Sequence, residues 1–236
     1  MAVVDGDSVS ADDLPVTNRE MGERFTDSTV VRVCAACNNG WMSDLEEATR
    51  LVLSALIAGE SISVSLLQAE SLAFWVAKTC VMAELTHPES AATPPHHFRY
   101  MHEDRMPPPG MHIWALNTDA DDWGVRLQHF GILYGDPSEL SYSEPCNTQS
   151  TTIGLGRAAF CVIATTQEVM PLPSLDDMPP LNAVRIWPNP VGFTWGQTRP
   201  LGNEDVWVVS DLLRLWLGDD DDAFLNALMG LGFRNT

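Results

Sequence analysis

The apolar residues of this chain change from a helical period to period two near Met111, and that change constrains the fold more than any single motif. Before it, Leu45, Ala48, Val52, Ala55 and Leu56 fall on one face of a helix, with Gly59 as a natural stop. Ser43-Asp44-Leu45-Glu46 has the form of a capping box and places the helix start at Asp44. Ser65 to Gln68 repeats that form, and Leu72, Trp75, Val76, Thr79 and Ala83 make a second stripe reaching about Thr86. Pro88, Pro94 and Pro95 exclude its continuation. From Met111 the pattern is period two, and strands are expected at Met111 to Asn117, Trp123 to Gly135, Ser150 to Gly156 and Ala158 to Thr166. Gly156-Arg157 reads as a tight hairpin, and Ala183 to Pro188 and Gly192 to Trp195 as late strands. Helical pattern returns over Val206 to Leu217 and Asp222 to Leu231. This order predicts an α+β fold: two N-terminal helices after a knuckle-like turn, an antiparallel sheet, then C-terminal helices.

Charge narrows the function. The net charge is −19, and of thirteen basic residues only Lys78 is a lysine. A nucleic-acid binder needs a basic face to displace phosphate counterions, and this chain has no basic run, so nucleic acid is weakly supported as a partner. Acidic excess serves solubility, accompanies a halophilic host, or mimics nucleic acid. Solubility is the plain reading. No apolar run reaches the ~18 residues that span a bilayer. Met1 to Ser10 is acidic and polar rather than a leader, so a soluble cytoplasmic protein without membrane contact is expected. Residues 1–29 read as a flexible acidic arm.

Five cysteines are scattered, and only Cys34 and Cys37 have motif spacing. Cys80 and Cys161 lie in apolar runs and read as core thiols, so no disulfide framework is expected. Cys-x-x-Cys between a short strand (Thr29 to Val33) and a helix start has the spacing of a zinc knuckle. Two thiolates fill half of a tetrahedral set. A thioredoxin-like reading lacks its βαβ context here. His87, His96, His97, His102 and His112 cluster in one stretch. They are candidates to complete a site with Cys34 and Cys37, or to form one with Glu103 and Asp104. They match no ligand motif, and a solvated, proline-rich loop is the plain alternative. Asp219 to Asp222 lacks the spacing of a calcium loop and reads as a helix cap. Trp75, Trp114, Trp187 and Trp195 read as core. Trp207 and Trp216 read as core rather than as a partner face, and Trp41 as packing the first helix onto the sheet.

The longer string "CAACNNGWMSDLEE" (Cys34 to Glu47) resembles the second knuckle of bacterial and phage HNH endonuclease-like proteins, C-x-x-C-N-x-G-W-M-S-x-L-E. Cys34, Cys37, Asn38, Gly40, Trp41, Met42, Ser43, Leu45 and Glu46 fit it. The resemblance continues in "FWVAKTCVMAEL", "PPPGMHIWA" and "RIWP". It implies a ββα-metal or treble-clef unit, zinc as the metal, and Cys34 and Cys37 as its ligands. It divides the chain into the arm, a partial HNH or zinc-knuckle unit at residues 30–60, and an α+β domain at residues 61–236.

Such proteins usually carry an earlier C-x-x-C and an acidic residue beside a histidine. That histidine activates water against a phosphodiester, with a divalent metal on the leaving oxygen. Residues 1–33 hold neither cysteine nor histidine, and His87 is the first histidine. The expectation is therefore an HNH-nuclease-like protein with a truncated or degenerate metal finger, not competent as this chain. Either the reading frame starts downstream of the true start or that half has been lost. No catalytic residue is assigned, and Asn38 is a candidate only in an intact form; any activity would be metal-dependent endonuclease. The alternative is an acidic protein-binding module, a phage-type inhibitor or nucleic-acid mimic with a protein partner.

Overall fold

The computed structural model describes residues 33–85, 88, 90–135, 144–168, 170 and 172–217. The acidic arm, residues 29–32 of the expected first strand, His87, the four aspartates and the last expected helix lie outside them. Val33, the described residue of that strand, is a bend.

The fold is α+β. A helical turn, Ala35–Cys37, passes through a wider turn, Asn38–Met42, into helix α1, Ser43–Ala58. Gly40 breaks the helical dihedrals between them (φ −100°, ψ −116°). The expected start at Asp44 is corrected: Ser43 is already helical (φ −64°, ψ −40°), and no capping box forms there. Cys34 is the cap, and the Glu46 side chain turns to Lys78 instead of to the backbone. At the other end Gly59 takes φ +72°. Its N–H donates to Leu56 O at 3.0 Å and the Glu60 N–H donates to Ala55 O at 2.9 Å, closing a Schellman motif.

Strand β1, Ser63–Val64, leads into helix α2, Leu66–Glu84. The Ser65–Gln68 capping box forms as the sequence predicts. Helix α3, Pro95–Asp104, occupies the stretch expected to be a proline-rich loop. Pro95 opens it rather than forbidding it, because a proline at the first helical position lacks an N–H that would have no intrahelical partner anyway.

Strands β2 (Met111–Asn117), β3 (Val125–Ile132), β4 (Thr148–Leu155), β5 (Ala158–Thr165) and β6 (Val184–Trp187) form one antiparallel sheet in the order β3-β4-β5-β2-β6. Strand β7 (Phe193–Thr194) pairs with β1 in a separate ribbon. Helix α4 is Asn203–Leu217, three residues longer at its start than the apolar pattern indicates.

Period two governs which face a residue takes, but not whether it is buried. In β2, Met111, Ile113 and Ala115 join the core under α1 and α2. Trp114 and Leu116 join a second core with α4. In β5, Phe160 and Val162 point to the first core, and Cys161 and Ile163 to the second. A helix on each face buries both sides, so β5 reads as a continuous apolar run. Complete burial of one such side chain contributes roughly 1.5–3 kcal/mol.

Strand β4 buries polar residues instead. Thr148, Gln149, Ser150, Thr151 and Thr152 are all at most 2% exposed. On the α2 side they build a network. The Cys80 thiol donates to Gln149 Oε1 and to Thr151 Oγ1, both at 3.2 Å. His129 Nδ1 lies 2.7 Å from Thr151 Oγ1, and its Nε2 lies 3.0 Å from Ser90 O. Gln149 Nε2 donates to Thr93 Oγ1, which donates to Glu84 Oε1 at 3.0 Å.

Candidate metal knuckle and the adjoining clefts

Cys34 is extended (φ −68°, ψ 149°) and caps the turn that follows, so its side chain sits over the first free backbone N–H groups. The Cys37 N–H donates to Cys34 Sγ at 3.3 Å. That backbone hydrogen bond, with the side-chain bond from Cys37 next in weight, lowers the Cys34 thiol below the ordinary range. Both cysteines are free, Cys34 exposed and Cys37 partly covered. Cys80 and Cys161 are the core thiols expected: burial raises Cys80 far above the ordinary range and Cys161 to about 12.

The cysteine pair faces a cleft of about 300 Å³, lined by Cys34, Cys37, Trp41, Met82, Phe98 and His102 among others. Of the histidine cluster, His102 is the member brought to this cleft. Its ring lies 6.4 Å from that of Trp41, and Arg105 donates to its Nδ1 at 3.4 Å. His96 and His97 pack edge to face on the first turn of α3, and burial lowers His97 below its ordinary value. His112 lies in β2, stacked 5.9 Å from Trp114, with its pKa lowered by burial and by Arg185 against an opposing pull from Asp176. No group of three His, Cys, Asp or Glu side chains suited to a metal ion exists among the described residues. Cys34 and Cys37 thus stand two residues apart at the opening of a helical turn, with the Cys37 N–H directed at the Cys34 sulfur.

Trp41 stacks on Phe74 of α2, with centroids 5.4 Å apart and planes at 13°, and packs against the core shared by α1, α2 and the sheet. Its Nε1 is buried without a hydrogen-bond acceptor among the described residues. The Arg105 guanidinium lies 4.8 Å from the Trp41 ring. On its other side Trp41 lines a larger cleft of about 480 Å³, shared with Asp44, Glu70, Phe74, Arg105 and Trp187. Sequence periodicity could not reveal this cleft, because Trp187 comes from the sheet edge and Arg105 from the end of α3.

Among the expected core tryptophans, Trp114 and Trp195 are buried, whereas Trp75 and Trp187 are half-buried. Trp207 packs edge to face on Trp123 at 5.1 Å. Trp216 is 41% exposed and not a core residue, although it lies two turns after the buried Val209, because it stands in the last described turn of α4. No described helix is long and apolar enough to cross a membrane. No family model, curated protein or solved structure matches the chain.

Proposed function

We propose that Cys34 and Cys37 are the remaining ligands of a zinc knuckle, in an HNH-nuclease-like protein whose metal finger is incomplete. One observation carries this reading: the 3.3 Å bond from the Cys37 N–H to Cys34 Sγ at the opening of a helix. An N–H aimed at sulfur stabilises a thiolate, and the two-residue spacing brings both sulfurs to one ion. The resemblance of Cys34 to Glu47 to the second HNH knuckle supports the same assignment.

Hydrolysis of a phosphodiester needs a base beside a bound metal. Neither the knuckle nor residues 1–33 offer a histidine for that role. The chain as given is therefore read as a non-cleaving relative. Any zinc it holds takes its other ligands from His102 across the cleft, from water, or from a second chain.

The experiment is zinc content per chain on freshly purified protein, with a Cys34→Ser, Cys37→Ser control. The expected result is near one zinc per chain, lost in the control, with no cleavage of DNA in magnesium or manganese. Absence of zinc, or zinc retained by the control, removes the knuckle reading. Metal-dependent cleavage would overturn the non-cleaving part alone.

A further inference from the structure

We propose that the 480 Å³ cleft between α1, α2 and the end of α3 binds an arginine side chain presented by a basic segment of a partner protein. Its floor is aromatic: Trp41 and Phe74 stack on each other, and Trp187 closes one side. Its rim carries two exposed carboxylates, Asp44 on α1 and Glu70 on α2. Neither has a hydrogen bond or ion pair among the described residues. Such a volume falls in the ordinary range of ligand sites, roughly 300–1,000 Å³.

An arginine fits this chemistry on both counts. Its planar guanidinium stacks on aromatic faces and forms paired hydrogen bonds to a carboxylate. The protein demonstrates the first half itself, because the Arg105 guanidinium already lies 4.8 Å from the Trp41 ring; with Phe74 and Arg105 on Trp41, the Trp187 side of the cleft is the aromatic surface left for an incoming guanidinium. That resident cation has no carboxylate partner among the described residues; it meets the Trp41 ring and His102 Nδ1. The two rim carboxylates are thus left for a second cation. The net charge of −19 supplies a long-range field that attracts a basic segment. Nucleic-acid bases also stack on such floors, but their phosphates would meet two unpaired carboxylates and that same field.

This inference does not depend on the knuckle, and its test works with or without zinc. The full chain is titrated with a labelled Arg-Gly repeat peptide, and anisotropy is read at low and at high salt. Binding is expected, weakening as salt rises. Asp44→Asn with Glu70→Gln is expected to weaken it about tenfold, as two partly exposed charge pairs would. Asp121→Asn with Asp122→Asn makes the same charge change on an exposed turn elsewhere and is expected to leave affinity within about twofold. Arg105→Ala, which frees the ring face, is expected to tighten binding. No binding of the peptide overturns the proposal. So does an equal loss in both double variants, which would mean only the general field acts. Preference for a single-stranded oligonucleotide over the peptide overturns it as well.

Discussion

Lys78 Nζ lies 2.6 Å from Glu46 Oε1, and the two partners differ sharply in exposure: the Lys78 side chain is 9% exposed and that of Glu46 is 59%. This ties α1, the helix after Cys34 and Cys37, to α2 through the chain's single lysine. The pair is unequal in consequence. Removing Glu46 strands a buried ammonium, whereas removing Lys78 leaves a carboxylate that water can solvate. Glu46→Ala is expected to cost about 2–3 kcal/mol and Lys78→Met about 1 kcal/mol or less, read from urea unfolding midpoints. Equal losses would show that the ammonium reaches water.

Glu84 makes stability depend on pH. Burial is the largest influence and raises its carboxyl from 4.5 to about 7, against lowering by the Thr93 backbone and hydroxyl donors. A raised carboxyl binds more protons folded than unfolded between those values, so stability falls as pH rises through that window. Below it the two states bind the proton equally, and above it the full penalty remains. The span corresponds to about 3 kcal/mol. Glu84→Gln should flatten unfolding free energy against pH between about 4.5 and 7. An unchanged slope would place the origin elsewhere.

Gly156 is sterically required. It opens the two-residue β4–β5 turn at φ +56°, and an added Cβ would lie 2.6 Å from Ile57 O, at the end of α1. Gly156→Ala combines left-handed strain with a backbone clash and is expected to cost about 2 kcal/mol or more, measured by thermal unfolding. Tolerance of alanine there would mean that the α1 terminus and the hairpin separate easily.

Cysteine labelling should divide the thiols by burial. Cys34 is exposed, whereas Cys80 and Cys161 are fully buried. Iodoacetamide on the native protein should modify Cys34 first, leaving Cys80 and Cys161 unmodified until denaturant is added. Zinc should slow the reaction at Cys34. Early labelling of Cys80 would contradict the packing of α2 on β4.

Local patterns carried much of the fold. Strand β2 follows its predicted bounds, the Ser65 cap forms, and Gly59 and Gly156 take the positions their backbone freedom suits. Each of these depends on residues a few positions apart. The helix over the histidine stretch was missed because Pro95 reads as a breaker unless the chain is known to start a helix at that residue. The capping box at Ser43 failed because Ser43 is already helical and continues the turns that begin at Cys34, which leaves the Glu46 side chain to pair with Lys78, 32 positions away.

The sequence by itself determined the order of helices and strands apart from α3, the cysteine pair and the acidic charge, since periodicity, spacing and composition are written along the chain. Tertiary structure decided that both faces of the sheet are covered, that β4 buries a polar network, and that Trp41, Phe74, Arg105 and Trp187 meet around one cleft. Those outcomes depend on how separate elements pack, and packing joins residues whose separation along the chain carries no periodic trace.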